Sequence, residues 1–412
     1  MKIEDANKLA LERLELSEPI LIDLKQAIDV VPDMKSNRIH HAGPPIDWEE
    51  MSGPMRGSII GTAILEGLVK SEEEADEAIK NGDIELGSNH DHGTVGPMAG
   101  PVGATTPVFV VKNNHHGNLA YSPVHEGLGK VLSMGNYSEN VLDNLRFVRD
   151  VLQPIISKVL NRMGGIPLNP LMSEAIVRGD ELHNRCKAGT CMFVEQMVPH
   201  LLHVTNKEEF VEVFEFLTTN PQTFLQPVMA ACKATLDSAS GIEGSTLLTC
   251  YSRNGSTVGL RMSGTGNKWF IAKAPMIKGL YMPGYSEEDA CPDLGDSAIT
   301  EVAGLGAMVM AGSPAMTLLV GGSASQAASY TMDMYDITMT ESKIIRLPSL
   351  DFRGAPLGVD VRKVVETGIS TKHNTAIAHR EPGIGMIGAG IVEAPMEVFT
   401  EALLELSKKL EK

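Results

Sequence analysis

Between the run PVFVVKN at 107–113 and the pair TLLTCYS at 246–252 and TVGLRMS at 257–263 lies a segment, residues 136–235, whose apolar side chains recur at helical spacing. Strand signals flank this helical middle, and that segregation points to an α+β fold. A helix beginning at Ser138 carries Leu142, Leu145, Val148 and Leu152 on one stripe, and Pro154 is expected to end or bend it. Thr205 with Glu208 reads as a capping box before FVEVFEFL, and Asn220-Pro221 stops that helix. Earlier, Ser71 with Glu74 opens a helix that closes at Gly82. Asn254-Gly255 suits a tight hairpin because both positions tolerate positive φ. Pro395, read as an N1 proline, leads a last helix with Met396, Phe399, Leu403, Leu406 and Leu410 at helical spacing. The expected organisation is multidomain: an N-terminal α/β domain over 1–135, a helical domain over 136–235 and a C-terminal α+β domain over 236–412.

The net charge of −17 argues against a chain that tracks a polyphosphate backbone, so no nucleic-acid partner is expected. An anionic substrate would need a local positive pocket built from Arg, His and backbone N–H groups against the overall field. Five scattered cysteines without a CxxC pair read as reduced thiols, and the acidic, amphipathic start MKIEDANKLALERL is no secretory signal, which together point to a cytoplasmic protein. The uncharged run 302–320 is broken by Gly304, Gly306, Gly312 and Pro314 and reads as buried packing; no membrane partner is expected.

The stretch NHDHGTVGPMAG at 89–100 is the sharpest chemical signal. In an extended segment His90 and His92 point to the same side and can chelate a cation, but a zinc site normally needs a third protein ligand that one sequence does not identify. Hydrogen-bonding histidines are the commoner reading, so neither a metal nor a cofactor is expected. Gly93 and Gly96 offer backbone N–H groups with little steric cover, the material of an anion nest or, equally, of a turn. Arg56, Arg253, Arg261 and Arg380 stand beside glycines and can clamp planar anions, although arginines more often serve surface ion pairs. On a helix from Asp180, His183 and Lys187 share a face while Arg185 lies elsewhere. Gly383-Ile384-Gly385-Met386-Ile387-Gly388 formally matches the dinucleotide fingerprint, yet no apolar strand immediately precedes it and too little chain follows.

Taken together, HAGPPIDWEEMSGPMRG, HDHGTVGPMAG, HGNLAYSPVHEGLGKVLSMG, GDELHNRCKAGT, SRNGSTVGLRMSGTGNKWF, GDSAITE and AHREPGIGMIGAGIVEAP resemble the YlbE-like family of bacterial proteins. That family is similar to a subunit of the oxamate carbamoyltransferase complex of allantoin degradation. The resemblance spans roughly residues 41–396. It implies companion enzyme subunits in an oligomer and small anionic substrates, with a carbamoyl group moving between carbamoyl phosphate and oxamate. The Ser-Thr-Arg-Thr-Arg phosphate loop of ordinary carbamoyltransferases is missing, and no family roles transfer to named residues. Physical inference instead makes His90 or His92 the acid–base group, with His379 and His183 as replacements. Gly93, Gly96, His183, Arg185, Asn254, Arg56, Arg253, Arg261 and Arg380 are the expected substrate-binding set. Two alternatives stand beside this reading: a structural or ligand-binding subunit without chemistry, and a metal-dependent amide or ureide hydrolase on the His-x-His pair.

Overall fold

A computed structural model describes residues 2–411 and has an α+β architecture. One antiparallel sheet has the order β5-β4-β1-β6, from β1 (Pro19–Gln26), β4 (Pro107–Asn113), β5 (Leu119–Pro123) and the short β6 (Ile166–Pro167). A second has the order β11-β7-β8-β9, from β7 (Leu248–Asn254), β8 (Thr257–Met262), β9 (Phe270–Lys273) and β11 (Leu294–Gly295). A third places β15 (Met386–Glu393) between β10 (Lys278–Tyr281) and β14 (Lys372–Ala378). A long antiparallel ribbon pairs β12 (Thr338–Leu347) with β13 (Arg353–Val359). Among the described residues, β2 (Arg38–His41) and β3 (Glu85–Ser88) form the one parallel strand pair.

The segment 136–235 is mostly helical, and its last helix, Leu225–Ser238, is buried along nearly its whole length because it packs against β4, β5 and β7. Side chains from all three parts of the sequence enter one core, among them Leu21, Phe109, Phe193, Val228, Tyr251 and Phe399. Smaller clusters gather the start of the chain around Val108 and its end around Met310 and Ile377.

Local chemistry explains where the elements begin and end. Ser71 accepts the Glu74 N–H and Gly82 takes the left-handed conformation that ends the helix, as its sequence implies. The second capping box lies one residue later than expected: Asn206 accepts the N–H groups of Glu208 and Glu209, and Glu209 returns the bond to the Asn206 N–H. An Asn carboxamide in that geometry reaches both donors, while the Thr205 hydroxyl is engaged by the Leu201 carbonyl. Pro154 does not end its helix. A π-helical turn, Val148–Leu152, precedes the helix Gln153–Met163, and the widened turn accommodates a ring that lacks an N–H. In the β7–β8 hairpin only Gly255 takes positive φ, at 82°, while Asn254 stays in the strand and its side chain accepts the Ser256 and Thr257 N–H groups. Pro395 is the residue before the helix Met396–Leu410, one position earlier than expected.

The capping assignment can be tested directly. Asn206→Ala is expected to lower the unfolding free energy by about 1 kcal/mol, and Thr205→Ala by less; equal losses in urea denaturation would remove the assignment.

Candidate functional site

Strand β7 is buried from end to end, so both of its faces must be satisfied inside the protein. Side chains alternate along a strand. Cys250 and Ser252 therefore face one polar cluster, and Tyr251 and Arg253 face another.

On the first face the carboxylate of Asp296 is the organiser. It accepts the Gly43 N–H, the Gly96 N–H and the Asn89 amide, each at 2.9 Å, together with the Ser252 hydroxyl. Burial pushes its carboxyl above the ordinary range despite these donors. Of the two glycines expected to cradle an anion, Gly96 alone gives its N–H to a carboxylate, and that carboxylate is the protein's own Asp296. Gly96 has a further constraint, since a Cβ there would stand 2.5 Å from the Gly100 Cα. Gly93 ends the short helix with its N–H on the Asn89 carbonyl. Residues Asn89–His92 form a 3-10 turn and not an extended segment, so His90 and His92 diverge. The His90 Nε2 lies 3.6 Å from Asp296 and its Nδ1 lies 3.3 Å from the Cys250 sulfur. His92 stacks instead on His40, with ring centroids 4.1 Å apart. Arg261 is spent on Asp91 and lies 4.2 Å from the Trp269 ring. Among the described residues no group of three His, Cys, Asp or Glu side chains is arranged to hold a metal.

On the second face Arg253, fully buried, donates to Asp293 at 3.0 Å, to the Gly295 carbonyl at 2.6 Å and to the Thr375 hydroxyl at 3.2 Å. The other Asp293 oxygen holds the His373 Nε2 at 2.6 Å. Burial opposes ionisation of Asp293, but the Arg253 guanidinium and the His373 ring outweigh it and hold the carboxyl at about 2. Next to this pair, Glu301 holds the His183 Nδ1 at 2.8 and 2.9 Å and also accepts the Ala307 N–H and the Thr300 hydroxyl. Burial opposes its ionisation too, and His183 overcomes it, so the Glu301 carboxyl sits below its usual value. The hydrogen bonds of the His183 ring among the described residues are all made by Nδ1, none by Nε2.

Residues 180–186 are a turn and not the start of a helix. The Glu181 carboxylate accepts the N–H groups of His183, Asn184 and Arg185, and Leu182 takes a φ of 66°. A side chain that binds its own following backbone in this way displaces the helical pattern. The helix begins at Lys187, where the Asp180 carboxylate accepts the Gly189 N–H. The turn presents Asn184 to Asn374, whose amides meet at 3.2 Å, and leaves the Asn374 Nδ2 buried without a partner.

The remaining expected residues lie elsewhere. Arg185 follows His183 in the turn, with its Nε on the Gly179 carbonyl and part of its guanidinium open to solvent. Asn254 is used in the hairpin and donates to the Pro44 carbonyl. Arg56 covers the Trp48 ring at 4.7 Å. His379 and Arg380 follow the end of β14, where the His379 Nδ1 accepts the Glu381 N–H and Arg380 is exposed. The residues that complete the second cluster, Glu181, Asp293, Glu301, His373 and Asn374, lie in the runs GDELHNR, CPDLGDSAITE and HNTAIAHREPG. Their signal was a carboxylate or imidazole placed among small and apolar residues, where a charge needs a partner.

Neutral buried histidines give the fold a defined acid limit. Burial, aided by His92, carries His40 down to about 3, and burial carries His125 down to about 4, from an ordinary 6.5. Below pH 6.5 the unfolded chain binds protons that these folded rings refuse, so their contribution is complete above that pH and is lost on descent toward the folded values. The loss for His125 amounts to roughly 3 kcal/mol. The unfolding free energy, measured by urea titration at several pH values, is expected to fall steadily below pH 6.5, and the slope to be shallower in His40→Phe.

A family model described as oxamate carbamoyltransferase subunit AllG matches residues 84–297. The AllG subunit of Escherichia coli strain K12 is 39% identical over 412 residues, covering 99% of this chain and 98% of that protein. The uncharacterized protein YahG of the same strain is 42% identical over 404 residues, 98% of this chain and 86% of YahG. A crystal structure of a conserved protein of unknown function from Enterococcus faecalis V583 superimposes with a TM-score of 0.97 at 42% identity over 98% of both chains. No helix among the described residues is long and apolar enough to cross a membrane. With a family model over half its length and full-length relatives at this identity, the chain belongs to the AllG family of oxamate carbamoyltransferase subunits.

Proposed function

We propose that this chain is the subunit of an oxamate carbamoyltransferase-like complex in which the His183–Glu301 pair handles the proton of carbamoyl transfer. The observation that carries the reading is the imidazole itself: Glu301 fixes its Nδ1, while no hydrogen bond among the described residues engages its Nε2, on a turn locked by Glu181. A carboxylate behind one ring nitrogen selects the tautomer and stabilises the imidazolium formed when the other nitrogen takes a proton. In the carbamoylation direction the oxamate nitrogen attacks the carbamoyl carbon, the bond from that carbon to the phosphate oxygen breaks, and His183 Nε2 receives the proton that the nitrogen sheds. The unpartnered Asn374 amide is a donor for the carbamoyl oxygen, and Arg185 supplies positive charge to the phosphate or to the oxamate carboxylate.

One observation favours a second reading, in which the chain binds ligand or organises the complex while a companion holds the reacting groups: His183 is only 2% exposed. The metal-hydrolase alternative requires His90 and His92 to converge, and they diverge.

The test is oxamate-dependent phosphate release from carbamoyl phosphate, by the purified chain alone and with the subunits encoded beside it. His183→Asn is expected to lower kcat by roughly 10²–10⁴ with assembly intact, and Glu301→Gln to lower it in the same sense. Full turnover in His183→Asn overturns the assignment. The double replacement of His90 and His92, run in parallel, tests whether that pair carries the proton instead.

A further inference from the structure

Strand β10 is the outer strand of the sheet β10-β15-β14, and among the described residues no strand lies beyond it. Its pairing with β15 fixes which of its backbone groups are already used. The Met282 N–H reaches the Ile387 carbonyl at 2.7 Å. A Cβ on Gly388 would stand 2.4 Å from the Leu280 carbonyl oxygen, and one on Gly390 2.3 Å from that of Lys278, so both carbonyls are turned toward β15. This close approach of the β10 backbone explains two glycines at the end of the run GIGMIGAG, 383–390. In an antiparallel ladder the groups that bond one neighbour alternate with those that face away from it. Gly279 and Tyr281 therefore present their N–H and C=O groups outward.

An open edge is a template for another strand, and proteins usually blunt one with proline, a bulge or an inward-pointing charge. Here the middle of the edge is left apolar. Residues 278–280 and 282–288 are exposed, Leu280 by 49%, and Met282 and Tyr285 follow it on the surface. Leu280 leans on Gly321, where a Cβ would come within 3.4 Å of it. The helix Thr317–Val320, just ahead of that glycine, adds Leu318, which is 85% exposed. The opposite side of the same sheet is finished differently, since every residue of β14 is buried.

We propose that the β10 edge pairs antiparallel with β10 of a second copy of this chain across a two-fold axis, joining the two sheets into one. A two-fold contact must be complementary to itself, and this edge meets that condition in one register. With Gly279 opposite the partner's Tyr281, every outward backbone group of both strands is bonded. Leu280 then meets the partner's Leu280 on the axis as a non-hydrogen-bonded pair, the arrangement in which side chains come closest. A shift one way would call on Ile277, which is buried, and a shift the other way on Pro283, which has no N–H to give. Charge agrees with this register. Lys278 falls opposite the partner's Met282, so no cation faces its own copy. Burial, and then the nearby charge of Glu287, hold the Tyr281 phenol above its ordinary value, which places that carboxylate at the end of the strand to which the partner's Lys278 is brought.

The test is the mass of the full-length chain in solution, by sedimentation velocity over a concentration series. The chain is expected to be a dimer. Leu280→Asp and Leu280→Lys each set like charges against one another on the axis; each is expected to halve the mass with the unfolding midpoint retained, and an equal mixture of the two to restore the dimer. Should the charged variants fail to fold, Leu280→Cys decides: oxidation with diamide is expected to join two chains through the introduced thiols, mapped by peptide mass, and absence of that link overturns the pairing. A monomeric chain, a dimer that survives both charged variants, or a mixture that stays monomeric overturns it too. If the chain alone is monomeric and Leu280→Asp loses a companion subunit that the unaltered chain binds, the edge belongs to that companion and not to a second copy. Because the readout is the mass of the chain alone, its failure is distinct from failure of the carbamoyl-transfer assay.

Discussion

A guanidinium with no solvent exposure must find all of its partners inside the protein, and Arg253 finds them on two other pieces of chain. Its own strand β7 supplies the cation, the segment around β11 supplies Asp293 and the Gly295 carbonyl, and β14 supplies Thr375. Two sheets are thereby tied by one charge. Removing either ion would leave the other buried and uncompensated, a loss of several kcal/mol. The pair also sets its surroundings: Asp293 fixes His373, and Glu301 and the His183 turn stand close enough for their charges to be felt in the same network. The position of His183, the histidine to which we propose to assign the proton, therefore rests on an interaction that makes no contact with it.

The two faces of β7 divide labour in a way that bears on function. Around Asp296 four donors converge on one carboxylate, which makes that cluster a brace for the segments at 43, 89–96 and 252, while the neighbouring His90 Nε2, His92 Nδ1 and both His40 nitrogens stay buried without partners. Around Glu301 the bonding is incomplete as well, with the Asn374 amide buried without a partner and no hydrogen bond to the His183 Nε2 among the described residues. A folded protein keeps unmatched polar groups where a ligand or a movement will use them. Both faces thus hold unmatched groups, and the proposed proton transfer draws on the one where a carboxylate holds an imidazole directly.

Much of the scaffold was legible in the sequence because it is written in local chemistry. The helix at 72–81, the strand at 107–113, the helical middle and the β7–β8 hairpin each carry their own caps, periodicity or turn residues. The errors arose where a side chain overrides the local pattern. Glu181 binds the three N–H groups that a helix would use, so a helix-like spacing of His183 and Lys187 becomes a turn. The glycine-rich stretch after His92 was legible as either an anion nest or a turn, but the carboxylate that takes the Gly96 N–H comes from Asp296, two hundred positions along the chain, a relation that no periodicity encodes. For the same reason Glu301 and Asp293 could be placed in polar runs but not paired with His183 and Arg253. Partnership between distant carboxylates and cations is decided by the packing of sheets.

The alternation along β7 has a consequence for how such a chain can vary. Adding or removing one residue between Leu248 and Asn254 would turn the strand over downstream of the change, sending Arg253 toward the Asp296 cradle and Ser252 toward Asp293. Neither exchange can be absorbed, since one puts a cation where donors already crowd and the other leaves an acid without its guanidinium. Length changes are expected instead at surface turns such as those at Gly82 and Gly117, whose surroundings are open although their positive φ keeps the glycine itself; the interior of this strand tolerates no change in count.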